Sequence, residues 1–293
     1  MPKIISRIKG GLGNQLFCYA AARRLAHASN SDLVLDSYSG FIRDDLYKRE
    51  FSLDSFNIPF RKATYTELMH PFERPRRGIA KWISSKKKFE NRSYIEEVDG
   101  VFDKRLLTLK PKNDLYLDGL WQDKRYFSDI EDIIRNDLDI RINVSERNRT
   151  LANAIIQDQS IVLHVRWFDK KDDSTKNMSM NYYQNAIHKI EQLVPNPHFI
   201  LFSDDVAASM QKLQLSKRRF TLVDWNVQKG GEIYDLWLMS LCKHFILANS
   251  TFSWWGAWIS NSNGIKIIPS SMPSLGQGQI IWNRETQQWD MDI

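Results

Sequence analysis

Between residues 160 and 269, short apolar runs alternate with segments of helical spacing, and few folds satisfy that alternation. The runs at 160–166, 198–202, 220–223, 245–248 and 265–269 read as strands, the last of them ending the pattern. The segments 181–193, 207–213, 233–242 and 252–259 between them read as helices. Strands separated by helices pair in parallel, with the helices covering both faces of the sheet. The N-terminus begins the same way. Ile4, Ile5 and Ile8 form an apolar run ending at Lys9, Gly10-Gly11-Leu12-Gly13-Asn14 reads as a turn, and a helical pattern follows from Gln15. A second strand is expected at 32–36. The region 41–113 is less regular. A helix near 129–138 precedes the polar segment 141–149, which places a domain boundary at 148/149, within ten residues. The fold class expected is α/β, with two Rossmann-like domains, 1–148 and 149–293, each built on a parallel sheet and the two facing a cleft.

The chain has 293 residues, enough for two domains, and its 42% hydrophobic and 26% charged residues exclude a disordered or fibrous chain. No run reaches the roughly 20 apolar residues that span a bilayer. Lys3, Arg7 and Lys9 interrupt the first ten residues, so no signal-peptide stretch is read there. Cys18 and Cys242 are too few for a disulfide framework, and a reducing cytosol is the expected compartment. Lys plus Arg total 41 against 35 Asp plus Glu, a net charge of +6 that favours anionic partners. Arg74, Arg76, Arg77, Lys81, Lys86, Lys87 and Lys88 concentrate basic charge in 74–88, with Ile79, Trp82 and Ile83 interleaved. That patch reads either as a solvated insertion or as a contact with an anionic membrane face or an anionic acceptor. No nucleic-acid motif frames it.

Ligands of open α/β sheets bind beyond the carboxyl ends of the strands, so polar clusters there carry the functional weight. The first is Gly10–Gln15: Gly11 and Gly13 permit close approach, the following helix N-terminus attracts a phosphate, and Asn14 and Gln15 can donate hydrogen bonds. The second is His164-Val165-Arg166 with Asp169. Residues two apart share a strand face, and the planar Arg166 fork suits a phosphate. A structural Arg166–Asp169 ion pair is the competing reading. The third is Asn249-Ser250-Thr251-Phe252-Ser253, where a helix N-cap and the Ser253 hydroxyl can surround a phosphate, while Trp254, Trp255 and Trp258 read as core. The fourth is Ser203-Asp204-Asp205: either carboxylate could accept from a guanine edge or simply cap a helix. Asp137-Leu-Asp139 and Asp290-Met-Asp292 lie where neither looks like a metal site.

Together, GGLGNQLF (10–17), HVRWFD (164–169), FSDD (202–205) and NSTFSWWGAW (249–258), in that order, resemble the bacterial α-1,2-fucosyltransferases, glycosyltransferase family 11. GLWQDKRYF (119–127) is similar to a further stretch of that family, and Trp167 departs from its usual second arginine. The resemblance implies a GT-B fold, GDP-β-L-fucose as donor, inversion at the anomeric carbon, a galactose 2-hydroxyl as acceptor, and neither cofactor nor metal. It implies that Arg166 holds the β-phosphate, that His164 and Asp204 or Asp205 meet the guanine end, that Ser250, Thr251 and Ser253 line the diphosphate, that Asn249 is among the donor-binding residues, and that Asn14 reaches the donor from the glycine turn. Asp169 and His164 are both candidates for the general base, and an acceptor made nucleophilic without a dedicated base is the third reading. Two rivals compete. One is an NAD-dependent oxidoreductase, resting on the near-fingerprint at 11–16 and on Asp36 as a ribose-binding acid. The other is a non-catalytic nucleic-acid or membrane binder using 74–88.

Overall fold

The computed structural model describes residues 1–167, 177–283, 285–286 and 288–290. The chain forms two compact units, Met1–Arg141 and Ile142–Ile293.

In the first unit, β1 (Lys3–Lys9) leads into α1 (Leu12–Ser29), and β2 (Asp32–Gly40) returns parallel to β1 with Ile4 opposite Leu33 and Ile5 opposite Val34. Helix α1 starts at Leu12, earlier than the spacing from Gln15 suggests. Gly11, in extended backbone at φ −71°, is its N-cap, so Gly13 and Asn14 lie in its first turn and not in a loop. Gly10 makes that abrupt start feasible. Its φ is +78°, and a Cβ there would stand 2.7 Å from the Asn14 side chain. The irregular stretch then supplies β3 (Arg61–Lys62), α2 (Glu73–Ser85), β4 (Tyr94–Glu96) and the short α3 (Arg105–Thr108). Strand β5 (Leu115–Asp118) and α4 (Glu131–Asp137) complete the unit. The sheet order is β3-β2-β1-β5-β4, and every pairing in it is parallel. Ile140 bridges to Phe56, which ties the chain to the first unit up to that point.

The second unit opens with α5 (Glu146–Gln157), whose Leu151, Ala152 and Ile155 join the core of this unit. It continues through β6 (Ser160–Val165), α6 (Met180–Leu193), β7 (His198–Ser203), α7 (Val206–Leu213), β8 (Phe220–Val223) and α8 (Glu232–Ser240). Then come β9 (His244–Ile246), α9 (Thr251–Ile259), β10 (Lys266–Pro269), β11 (Gln279–Asn283) and β12 (Gln288–Asp290). The sheet order is β12-β11-β10-β9-β6-β7-β8, parallel except for β12. Every residue of β6 is buried. Ile161, Leu163 and Val165 pack with Tyr182, Ile187 and Ile190 of α6, while Val162 packs on the opposite face with α5 and α8. This two-sided burial explains why the run reads as continuously apolar.

The strand at 265–269 is not the last. Ile280 and Trp282 of β11 extend the core, and the Trp289 ring of β12 packs on Trp282 at 4.6 Å, edge to face. A three-residue antiparallel edge strand leaves little periodicity to read in a sequence.

Candidate functional site

In each sheet the strand order reverses direction beside the first strand of the unit, between β1 and β5 and between β6 and β9. Such switch points, at the carboxyl ends of the strands, are where open α/β sheets hold ligands. In the second unit three predicted clusters meet at one such edge. His164 and Val165 of β6 pair with Phe202 and Ser203 of β7, and β9 flanks β6 on the other side. Arg166 leaves the end of β6, Asp204 and Asp205 follow β7, and Asn249 to Ser253 follow β9.

Arg166 pairs with Asp204, Nη1 to Oδ2 at 3.0 Å, both side chains about one-third exposed. Oδ1 of the same carboxylate accepts from the Trp167 amide at 2.9 Å. Asp204 therefore orients the guanidinium, while Asp169 lies outside the described residues. The Trp167 indole donates to the Ser209 hydroxyl at 3.1 Å, and the Lys212 ammonium stands over its ring at 4.5 Å. The departure from a second arginine thus serves as a brace between the end of β6 and α7. Asp205 accepts from the Ala208 amide at 3.0 Å and caps α7, the plainer of its two expected roles.

His164 is 6% exposed, its ring 6.1 Å from that of Phe252 at the start of α9. Its Nδ1 is buried and has no hydrogen-bond partner in the protein. Burial, with the Arg166 charge adding to it, pushes the imidazole down to about 3. His164 is therefore held neutral. A neutral ring with an orphaned buried nitrogen is suited to a hydrogen bond with a ligand.

Ser250 caps α9 by accepting from the Phe252 amide at 3.3 Å, and Asn249 accepts from the Ser271 hydroxyl at 3.1 Å. Thr251 opens the first turn, half-buried. Ser253 is turned inward. It is 1% exposed, and its hydroxyl donates back to the Ser250 carbonyl at 3.4 Å, a bond within its own turn. Trp254, Trp255 and Trp258 are buried against one another, with the Trp254 indole donating to the Pro273 carbonyl at 2.8 Å. They are core, as expected.

The glycine turn sits on the other unit. Asn14 lines a cavity of about 690 Å³ there and accepts from the Gln122 amide at 2.9 Å, so the stretch 119–127 buttresses the turn. Gln15 is also turned inward. It is fully buried, donates to the carbonyls of Gly10 and Glu50 at 3.0 and 2.8 Å, and accepts from the Ser52 amide at 2.9 Å. Both its N–H groups are committed to the backbone, which leaves none for a donor sugar. Asp36 is likewise fully buried and accepts from the Tyr38 and Ser39 amides at 3.1 and 2.8 Å and from the Tyr116 hydroxyl. A carboxylate enclosed in this way cannot reach a ribose, and the dinucleotide reading loses its acid.

Sequence reasoning passed over Arg43 as a lining residue of that cavity and left Arg74 and Arg77 in an undifferentiated patch. The spacing of Arg74, Arg77 and Lys81 along one helical face was the signal that could have separated them from the rest of 74–88. Among the described residues no helix is long and apolar enough to cross a membrane.

The family model for glycosyl transferase family 11 matches residues 73–278. Over 287 residues the chain is 29% identical to an alpha-1,2-colitosyltransferase of Escherichia coli, covering 92% of each. Over 285 residues it is 30% identical to the Escherichia coli O-antigen biosynthesis glycosyltransferase WbnK, covering 90% of this chain and 92% of that one. Among solved structures it is similar to the NodZ alpha-1,6-fucosyltransferase soaked with GDP-fucose, at a TM-score of 0.53 and 14% identity over 99% of this chain and 98% of that one. A mutant of Arabidopsis thaliana FUT1 in complex with GDP gives a TM-score of 0.56 and 12% identity over 97% of this chain and 70% of that one. At such identities the likeness speaks for the fold alone, which is of the GT-B type. The family match spans more than half the chain and covers both β6 to β9 and the α2 region: the chain belongs to glycosyl transferase family 11 and is a glycosyltransferase.

Proposed function

We propose that the protein transfers L-fucose from GDP-β-L-fucose to the 2-hydroxyl of a galactose-terminated acceptor, with inversion and without a metal ion. The observation that carries this reading is the Arg166–Asp204 pair at the switch point of the second sheet, beside the capped N-terminus of α9 and the orphaned Nδ1 of His164. Family membership and a relative named for alpha-1,2-colitosyl transfer support it.

In the proposed reaction the acceptor oxygen forms a bond to the anomeric carbon as the bond from that carbon to the phosphate oxygen breaks. The bonding pair leaves with GDP, and the acceptor proton passes to a base or to solvent. Negative charge grows on the departing diphosphate. Arg166, held in orientation by Asp204, and the first-turn amides of α9 are fixed donors that can absorb that charge without reorganising. The Asp137-Leu-Asp139 pair is not arranged as a metal site. Asp137 is buried and accepts from Tyr19 Oη and Arg23 Nε at 2.6 and 2.8 Å, so it is engaged within the first unit. Ser250, Thr251 and the Asn249 side chain are the remaining donor contacts in this reading. The buried, free Cys18 and Cys242 suit a reducing compartment. The outward face of α2, with Trp82 64% and Ile79 59% exposed, supports a peripheral contact with the cytoplasmic membrane surface.

A second donor is favoured by one observation, the colitosyltransferase relative. Colitose is L-fucose without its 3-hydroxyl, so both donors suit one diphosphate site. Incubation with GDP-fucose and GDP-colitose against a panel of galactosides, followed by mass spectrometry and linkage analysis, tests both readings. An α-1,2-fucosylated galactose is expected. Transfer of colitose alone, or formation of another linkage, would overturn the fucose reading.

A further inference from the structure

Seven basic side chains and four carboxylates line the cavity at the carboxyl ends of β1, β2, β4 and β5, and internal pairing leaves three arginines over. Asp118 holds Arg7 and Lys9 at 3.1 and 2.8 Å, and Glu96 pairs with Lys81. Arg49 lies over the Tyr47 ring and 3.9 Å from Asp44. Glu73, the fourth carboxylate, pairs with His70 at 2.7 Å. The side chains of Arg43, Arg74 and Arg77 make no ion pair or hydrogen bond among the described residues; Arg43 and Arg74 are exposed and Arg77 is half-buried. Nη1 of Arg77 is also buried. A guanidinium nitrogen taken out of water with no acceptor is costly, and such a group points to a missing anion. Gly78, the next residue on α2, also lines the cavity, and a Cβ built on it meets nothing within 4 Å. Packing does not require glycine there.

We propose that this cavity is an acceptor-side phosphate subsite, which takes a phosphate or diphosphate carried by the galactose-containing acceptor. The proposal rests on the reading of the chain as a sugar transferase with its donor held at Arg166. Three unpaired guanidiniums around one cavity match an anion of more than one charge, and the planar fork of arginine binds phosphate oxygens two at a time. The phosphate can belong to a lipid-linked glycan or to a soluble glycan phosphate, since the cavity reads only the oxyanion.

The test compares a neutral galactoside with the same galactoside phosphorylated at its reducing end, as a soluble compound and as a lipid-linked diphosphate in detergent. The wild-type protein is expected to show at least a tenfold lower KM for a phosphorylated acceptor. Arg77→Gln is expected to erase that preference, Arg77→Lys to keep part of it, and both to leave hydrolysis of the donor in the absence of acceptor unchanged. Preference for the lipid-linked form alone would assign the subsite to a lipid diphosphate; preference for both would assign it to phosphate in general. Equal KM values for neutral and phosphorylated acceptors in the wild type, or loss of GDP affinity in Arg77→Gln, would overturn the proposal. Should no sugar transfer be found, titration of inorganic pyrophosphate into Arg166→Ala protein still decides. Binding that Arg77→Gln abolishes in that background supports the subsite, and no binding overturns it.

Discussion

Nη1 of Arg166 lies 3.0 Å from Oδ2 of Asp204, and the other oxygen of that carboxylate is anchored by the Trp167 amide. One carboxylate thereby fixes both the guanidinium and the backbone from which it projects. Removing one preorganised donor of this kind lowers kcat by about 10²–10³. Arg166→Ala is expected to lose that much while keeping its thermal unfolding midpoint. Asp204→Asn, which keeps a bond to the Trp167 amide but loses the charge, is expected to lose about tenfold. Steady-state kinetics with circular dichroism on both variants checks this, and a near-normal kcat for Arg166→Ala would remove the arginine from the mechanism.

Fixed cations and amides are proposed to replace a divalent ion at the leaving group. Activity is therefore expected to survive EDTA in full. Loss of activity that Mg²⁺ or Mn²⁺ restores would refute this part of the reading.

Gln15 is a brace. Gln15→Ala strips partners from the Gly10 and Glu50 carbonyls and the Ser52 amide. It is expected to cost about 1–3 kcal/mol of stability per buried group left unpaired, while donor KM in the folded fraction stays within about twofold. Chemical denaturation and donor titration separate the two effects; a large rise in donor KM at unchanged stability would return Gln15 to the binding site.

His164 titrates at its ordinary 6.5 when unfolded but near 3 when folded. Between those values the unfolded chain binds more protons. The contribution of His164 to stability is therefore complete above about pH 6.5 and declines as pH falls toward 3. Urea midpoints measured from pH 7 to 4 are expected to fall more steeply for wild type than for His164→Asn. Parallel slopes would contradict the burial argument.

Asp235 works in the opposite direction. Burial raises its carboxyl from 3.8 to about 7, with Glu232 adding to the rise and the Asn226 amide, 2.8 Å away, opposing it. Here the folded state binds more protons, so the contribution is present below about pH 3.8 and is lost as pH rises through 7. Asp235→Asn is expected to raise the unfolding midpoint at pH 8 and to leave it nearly unchanged at pH 4. An equal shift at both pH values would point to packing instead of charge.

The apolar runs and helical spacings of 160–269 were sufficient to predict a parallel sheet covered on both faces, because strands buried on two sides must be continuously apolar. The same local logic made Trp254, Trp255 and Trp258 core and placed polar groups after β6, β7 and β9. What local pattern could not supply was partnership. Asp204 and Arg166 are far apart in sequence, and only the pairing of β7 with β6 makes them neighbours. Gln15 and Ser253 looked open to a ligand because nothing in the sequence marks the carbonyls and amides of distant residues that enclose them. The arginine cavity depends on α2, β1, β2 and β5 converging, and tertiary contact alone determined which of its cations are neutralised by Asp118, Glu96 and Asp44 and which keep their charge unmatched.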